Sequence, residues 1–225
     1  MAEKRTIPAN LVSEKTIVSR SGNYKLVIGQ YKTKEGCWEY TKGSVYRISD
    51  DKLIIEISRN YPYFQHHFFV KDGQEYLQAG RTYMSQIFVN LDTEKVVYDN
   101  SDVQQGYCWS SITASPDGNT LAVIACIWGG PYELLFYDFT DPSKGPIDLK
   151  CDNNFDAGNA DTYKWNADGT FLFENPSYEN DWCSTHNRLE DECEDDSDCD
   201  IDECNTVEVT SYTLKRVGDE VVIIS

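Results

Sequence analysis

The chain has 225 residues, of which 40% are hydrophobic and 13% aromatic, so it can bury a substantial core as one domain or at most two. Its formal net charge is -18, and residues 190–203 hold ten acidic residues and no basic one, whereas the remainder holds 28 acidic and 20 basic residues. A negative chain repels phosphate groups, which argues against binding nucleic acid or anionic membranes through a general basic field and favours a basic protein partner or metal cations.

The N-terminal segment MAEKRTIPANLVSEK lacks the apolar stretch of a secretory signal, and the sequence has no run of about 18 apolar residues such as a membrane helix needs. We therefore expect a cytoplasmic protein that binds no membrane.

Two similar units occupy the first half of the chain. The first, at about residues 15–58, contains the strand-like segments KTIVSR, NYKLVIG, SVYRI and KLIIEI, with an SG turn after the first segment. The second, at about residues 64–99, contains HHFFVK, QEYLQAG, SQIFVNL and EKVVYD, with a DG turn in the same place. Apolar and polar residues alternate in these segments, as is typical of half-buried strands joined by tight turns.

Two further units follow the same order. They lie at about residues 107–150, with SSITASP, NTLAVIA, ELLFYDF and PIDLK, and at about residues 161–225, with TYKWNA, TFLFE, VEVTSYTL and EVVIIS. The glycines of the four first turns are spaced by 51, 45 and 51 residues. The spacing indicates a repeat, and each unit is typical of a four-stranded antiparallel meander.

The unit length is close to the 40 to 50 or so residues of a propeller blade. The third unit resembles a WD-repeat blade over residues 110–142, SSITASPDGNTLAVIACIWGGPYELLFYDFTDP, where SPDG stands at the first hairpin and YDF ends the third strand. The Gly-His and Trp-Asp pairs of that family are absent. The resemblance implies a propeller blade. We therefore predict an all-β fold for residues 1–225, a single four-bladed β-propeller of four meanders, with a β-sandwich as the alternative.

In a propeller the loops between second and third strands and the links between blades share one face of the disc. Aromatic residues concentrate in these segments, and we predict that they bind a protein partner. The predicted binding residues are Trp38, Tyr61, Tyr63, Tyr83, Trp109, Trp128 and Trp182.

An acidic, cysteine-rich insertion at about residues 176–205 extends the fourth unit. Three interpretations stay open: a solvated acidic loop, a metal site, or a disulfide-linked loop. The zinc ligands would come from Cys183, His186, Cys193, Cys199 and Cys204, and the same four cysteines would form the disulfides. Alternating aspartates at 196–202 suit calcium, although Ile201 and Val207 stand where an EF-type loop has Gly and Glu.

No recognised catalytic motif stands out: the sequence has no G-x-S-x-G, H-E-x-x-H, P-loop or G-x-G-x-x-G pattern. We therefore predict a non-catalytic interaction scaffold that binds a protein partner, of basic character, through the aromatic loops. The first alternative is a hydrolytic or carbohydrate-active propeller that uses paired carboxylates. The second is a structural component of a larger assembly, such as a homo-oligomer formed through exposed blade edges.

Overall fold

Four antiparallel sheets follow one another along the chain in a computed structural model that describes residues 10–99, 106–127, 129, 132–151, 155–156, 162–178 and 206–225. The first sheet consists of β1 (Asn10–Val18), β2 (Tyr24–Lys32), β3 (Tyr40–Arg47) and β4 (Lys52–Arg59). The second consists of β5 (His66–Lys71), β6 (Gln74–Gly80), β7 (Gln86–Asn90) and β8 (Lys95–Tyr98). Each strand in these two sheets pairs with its neighbours in sequence, so both are meanders.

The third sheet contains β9 (Cys108–Ala114), β10 (Thr120–Cys126), β11 (Tyr132–Asp138) and β12 (Ile147–Asp148), and β14 (Phe155–Asp156) also pairs with β11. The fourth contains β13 (Lys150–Cys151), β15 (Lys164–Trp165), β16 (Thr170–Tyr178), β17 (Thr206–Val217) and β18 (Glu220–Ile223). A single turn of 3₁₀-helix, Pro142–Lys144, precedes β12.

The segment PIDLK is divided between two sheets, a feature that the repeat pattern does not predict. Its first part, β12, pairs with β11 of the third sheet, whereas β13 pairs in parallel with β18 of the fourth. The chain therefore crosses from one blade to the next inside this segment and links the two blades through backbone hydrogen bonds.

The repeated turns have the same backbone geometry in three units. The N–H of Gly22, Gly118 and Gly169 donates to the carbonyl oxygen three residues earlier, at 3.0, 2.8 and 3.0 Å. The second unit instead has a two-residue turn in which Asp72 and Gly73 both have positive φ, at 51° and 73°. That conformation matches the right-handed twist of the flanking strands. The equivalence of the units is thus visible in hydrogen bonding as well as in sequence.

Gly118 is required by both its conformation and its surroundings. Its φ is +70°, which residues with a side chain adopt at a cost. A Cβ at this position would lie 2.5 Å from the carbonyl oxygen of Val70 in the preceding blade. The SPDG turn can therefore approach the second blade only because it contains glycine.

Hydrophobic cores lie between consecutive sheets. Among the described residues there are three, which join the first sheet to the second, the second to the third and the third to the fourth. Leu77 points into the first core, and its neighbour Tyr76 points into the second, because successive side chains on a strand point to opposite faces. The two middle sheets are consequently buried on both faces, as the almost continuous burial of β6 and β10 shows.

This stacking confirms the predicted all-β fold, with four antiparallel meanders that form the blades of a four-bladed β-propeller. A sandwich of two packed sheets would bury one face of each sheet, whereas here the second and third sheets are each packed between two others. Across the described ranges, no helix is long and apolar enough to cross a membrane.

Polar bridges join neighbouring blades on the face of the propeller that carries the tight turns. The Tyr24 hydroxyl donates to Asp92 Oδ1 at 2.7 Å between the first two blades, and Lys71 Nζ donates to Asn119 Oδ1 at 2.7 Å between the next two. Arg216 Nη1 donates to Asp138 Oδ1 at 2.8 Å between the third and fourth. Desolvation would raise the pKa of Asp138, but hydrogen bonds from Arg216 and Thr140 outweigh it and hold that pKa below its usual range.

The bridge between the last two blades leads to a stability prediction. Arg216→Met should lower the free energy of unfolding by about 2 kcal/mol, because Asp138 would lose a charged donor in a partly buried position. Urea denaturation measures the change. Lys25→Met is the matched control, since its partner Asp51 is largely exposed and such pairs contribute little. Equal losses in the two variants would contradict the bridging role of Arg216.

Candidate binding surface

Three aromatic side chains from different segments form a continuous cluster on the face of the propeller opposite the tight turns. Trp38 lies in the β2–β3 loop, Tyr61 in the link between the first two blades, and Tyr83 in the β6–β7 loop. The ring centroids of Trp38 and Tyr61 are 6.0 Å apart, and those of Tyr61 and Tyr83 are 6.1 Å apart in an edge-on arrangement. We call Trp38, Tyr61 and Tyr83 the aromatic cluster. It brings together three of the seven residues that the sequence predicts for partner binding.

The outer part of this surface is open to solvent. Trp38 is 64% exposed, and Tyr63, which follows the cluster in the same interblade link, is 58% exposed. Tyr61 and Tyr83 are half-buried. The surface therefore presents ring faces and edges at its periphery and becomes more enclosed towards Tyr83.

Hydrogen bonds from the blades fix the segments that carry the rings. The buried Thr41 hydroxyl donates to the carbonyl oxygen of Tyr61 at 2.9 Å, and Arg59 Nη1 donates to that of Tyr63 at 3.1 Å. In the β6–β7 loop, the backbone N–H of Ser85 donates to the Thr82 hydroxyl at 3.0 Å. These contacts reduce the freedom of the loops before any partner binds, which lowers the entropic cost of association.

Arg59 forms the base of the aromatic cluster. Its side chain is 3% exposed, and its Cζ lies 5.2 Å from the centroid of the Tyr61 ring, a cation–π distance. On the other side it meets Gly80, where an added Cβ would lie 2.8 Å from Cζ. Burial lowers the pKa of Arg59 from its ordinary value. The guanidinium is thus enclosed between a tyrosine ring and a glycine backbone.

Two thiols adjoin the cluster in the third blade. Cys108 and Cys126 are paired residues on β9 and β10, and the Cys108 thiol shares a hydrogen bond with the Tyr83 hydroxyl. Burial raises the pKa of Cys108 above that of an ordinary thiol, and the interactions with Tyr83 and Arg59 that lower it do not reverse this. Cys108 is therefore protonated at neutral pH and lacks the thiolate that a nucleophilic cysteine needs.

Trp109 corrects one sequence prediction. It was expected in an interblade link on the binding face, but β9 begins at Cys108, so Trp109 belongs to a strand and points into the core between the second and third blades. It is 4% exposed and packs against Tyr137, with ring centroids 4.8 Å apart, and against Phe88 at 6.1 Å. Trp109 stabilises the fold and is not available to a partner.

The remaining predicted site residues lie outside the described residues. These are Trp128, Trp182 and the candidate metal or disulfide residues Cys183, His186, Cys193, Cys199 and Cys204. Cys37, Cys108 and Cys126 are free thiols.

Arg59 was missed from the sequence although a signal was present. In KLIIEISRNY, Ile55 and Ile57 occupy alternate positions of β4, and Ile57 is buried in the first core. Arg59 continues that inward register and stands immediately before an aromatic link. A charged residue in a buried strand register needs a partner or a function, so the pattern could have indicated a site.

Two of the cavities among the described residues are lined in part by carboxylates. One, of about 210 Å³, is lined by Tyr107, Glu133 and Asp148 among others, and is smaller than the roughly 300 Å³ at which ligand pockets begin. A larger one, of about 500 Å³, has Asp141 as its carboxylate, and that group caps the 3₁₀-helix by accepting from the Ser143 N–H. Glu133 and Asp148 therefore share the smaller cavity, whereas the larger one has a single carboxylate.

The contrast between two tryptophans gives a second stability prediction. Trp109→Ala should lower the free energy of unfolding by about 3 to 5 kcal/mol, because it removes a buried indole from the core. Trp38→Ala is the matched control, since most of that ring is already in solvent, and it should leave the unfolding midpoint nearly unchanged. Thermal and urea denaturation measure both. A larger loss for Trp38→Ala than for Trp109→Ala would contradict the assignment of one ring to the surface and the other to the core.

Comparison with known proteins gives one clear relationship. No family model matches the chain. Among solved structures, oligogalacturonate lyase in complex with manganese has a TM-score of 0.47 and 12% identity, and covers 77% of this chain. The β-propeller domain of Cps50 (Swd1) from Myceliophteria thermophila has a TM-score of 0.40 and 11% identity over 71% of this chain. In both cases the match spans 50% of the solved chain.

A curated protein is far more similar in sequence. It is 45% identical over 182 residues, which make up 78% of this chain and 72% of the relative. The chain therefore belongs to the same family as uncharacterized protein R762 of Acanthamoeba polyphaga mimivirus.

Proposed function

We propose that the chain is a non-catalytic interaction protein that binds a protein partner through the aromatic cluster. The observation that carries the proposal is the exposure of Trp38 at the end of a continuous row of ring contacts. Tryptophan and tyrosine are the residues that most often dominate binding energy, because they bury a large area at low entropic cost. Tyr63, on the same link as Tyr61, extends the available apolar area.

Two properties of the surface favour binding over catalysis. The loops are already held by Thr41 and Arg59, so the rings are preorganised for contact. The nearest chemical nucleophile, Cys108, is a protonated thiol. A hydrolytic propeller would need an activated group or a carboxylate pair facing a cleft, and the aromatic cluster supplies neither.

The charge of the chain determines which partners approach it fastest. The net charge of -18 attracts positively charged proteins over several ångströms and accelerates their encounter. We therefore propose a partner with a basic surface, docked through short-range contacts with the rings.

Capture from cells that contain the natural partner tests this function. A tagged chain and its Ile48→Ala variant should retain the same partner, whereas Trp38→Ala should lose it. Ile48 is a matched control because it is an exposed apolar residue of the same blade at the opposite end of the sheet. With the purified partner, Trp38→Ala should weaken binding about tenfold or more. Equal retention by all three proteins would contradict the proposal.

The same purified pair tests the electrostatic part. The association rate should fall as salt rises from about 50 to about 300 mM, because screening shortens the reach of the charge. Deletion of residues 188–204, which removes most of the acidic run, should lower the association rate and leave the dissociation rate nearly unchanged. An association rate that rises with salt would reject a basic partner.

A further inference from the structure

We propose that Arg59 is a binding site for a carboxylate, supplied by an aspartate or glutamate side chain of the partner that docks on the aromatic cluster. The inference rests on the proposed function and adds the chemistry of one contact. Its basis is the buried guanidinium of Arg59, which forms no ion pair with the described residues and whose Nε–H has no hydrogen-bond partner among them.

Arg59 is buried and forms no ion pair with any residue that the structure describes. The largest electrostatic influences on it come from the side chains of Cys108, Tyr61, Tyr63 and Tyr83, none of which is a carboxylate. Burying a charge is costly unless it is paired and hydrogen-bonded. An anion that pairs with the enclosed guanidinium would therefore offset part of this cost.

Three other basic residues, by contrast, are paired with carboxylates. Lys71 is as buried as Arg59, but its Nζ contacts the carboxylate of Asp72 at 2.8 Å. Arg216 pairs with Asp138, and Arg47 pairs with Asp50 and Glu94. Arg59 departs from this pattern.

The unused part of the guanidinium has the shape of a carboxylate site. Among the described residues, Arg59 makes one side-chain hydrogen bond, from Nη1 to the carbonyl oxygen of Tyr63, and its buried Nε has no partner. Nε–H and the adjacent Nη2–H form an edge with two parallel donors. This edge can bind both oxygens of one carboxylate, and the surrounding rings strengthen such a pair by excluding water.

A carboxylate suits this edge better than a phosphate does. A phosphate dianion is best held by several cations, and the neighbouring Arg81 lies instead against the ring of Tyr98, 4.6 Å from its centroid. The acidic character of the chain also opposes a doubly charged ligand. One planar monoanion is the ligand that one guanidinium edge can match.

Access to the edge requires movement of one ring. Arg59 is 3% exposed, and the Tyr61 ring covers one side of its guanidinium. The Tyr61 ring is tilted against Trp38 and meets Tyr83 edge-on, and all three rings lie outside the strands, so a rotation of the Tyr61 side chain would uncover that side of the guanidinium without displacing a strand. A ligand that combines a carboxylate with an aromatic ring could replace the contact that Tyr61 gives up.

Nuclear magnetic resonance of the Arg59 Nε–H group tests the proposal on the intact chain. The probe is the blocked dipeptide acetyl-aspartyl-phenylalanine amide, and its uncharged match is the asparaginyl analogue. The Nε–H signal should shift saturably with the aspartyl peptide, and about ten times more of the asparaginyl peptide should be needed for the same shift. Equal responses to the two peptides, or no response to either, would overturn the proposal.

Inorganic phosphate and one variant complete the experiment. Phosphate should shift the Nε–H signal more weakly than the aspartyl peptide, and a stronger shift would reject the carboxylate assignment. Arg59→Lys keeps the charge but loses the two-donor edge, so backbone signals of the cluster should report binding of the aspartyl peptide weakened about tenfold. Unchanged binding would overturn the proposal. If this variant does not fold, the comparison of peptides on the native chain decides.

The captured partner separates this inference from the proposed function. If Trp38→Ala weakens the partner and Arg59→Lys does not, the aromatic cluster binds the partner and the carboxylate contact is wrong. If the aspartyl peptide binds at Arg59 but Trp38→Ala leaves capture unchanged, the anion site exists and the proposed function fails.

Discussion

Face-to-face packing of consecutive sheets is the constraint on which the rest of the structure depends. Each of the two middle blades is buried on both faces, so its strands must supply apolar side chains in both directions, as Tyr76 and Leu77 do on β6. A slip of one residue in any pairing would exchange these faces and expose a core. The close approach of Gly118 to Val70 shows how little space separates neighbouring blades. Packing therefore fixes the register of every strand and, with it, the positions of the strand ends.

The location of the aromatic cluster follows from that register. Arg59 ends β4, Gly80 ends β6 and Cys108 begins β9, so three blades contribute to one location. The tight turns at the other end are tied by charged and polar bridges such as that between Arg216 and Asp138. The two faces of the propeller thus differ in chemistry: polar bridges join the blades on the face with the tight turns, whereas the opposite face has exposed aromatic rings above a buried guanidinium that forms no ion pair with the described residues.

Much of the fold could be predicted because the repeat depends on turn residues and on alternation within strands, both of which are local features of the sequence. The Ser-Gly and Asp-Gly turns and the alternating strands identified four meanders, and the turns of the first, third and fourth units share a hydrogen bond from the glycine N–H to the carbonyl oxygen three residues earlier. The division of PIDLK between two blades depends on pairing with β18, which is distant in sequence. Local pattern carries no information about such a partner.

The clustering of three aromatic residues could be predicted for the same reason, whereas their role in binding stays a prediction. Strand and loop assignments placed Trp38, Tyr61 and Tyr83 on one face, where their rings do meet. The prediction that Trp109 lies in a link was wrong because β9 begins one residue before it, and sequence periodicity does not locate a strand boundary to within one residue. Arg59 was not predicted because its distinguishing features are the ion pair and the Nε hydrogen bond that it lacks among the described residues. These features depend on how the blades pack around it, which the local sequence does not give.

Native-state hydrogen exchange tests the stacking of the blades most directly. Strands buried on both faces should open only with global unfolding, whereas the exposed edge strand β1 should open locally. The account predicts that amides of β6 and β10 exchange with the free energy of global unfolding and that those of β1 exchange at a much lower free energy. Protection of β1 equal to that of β10 would contradict the stacked arrangement.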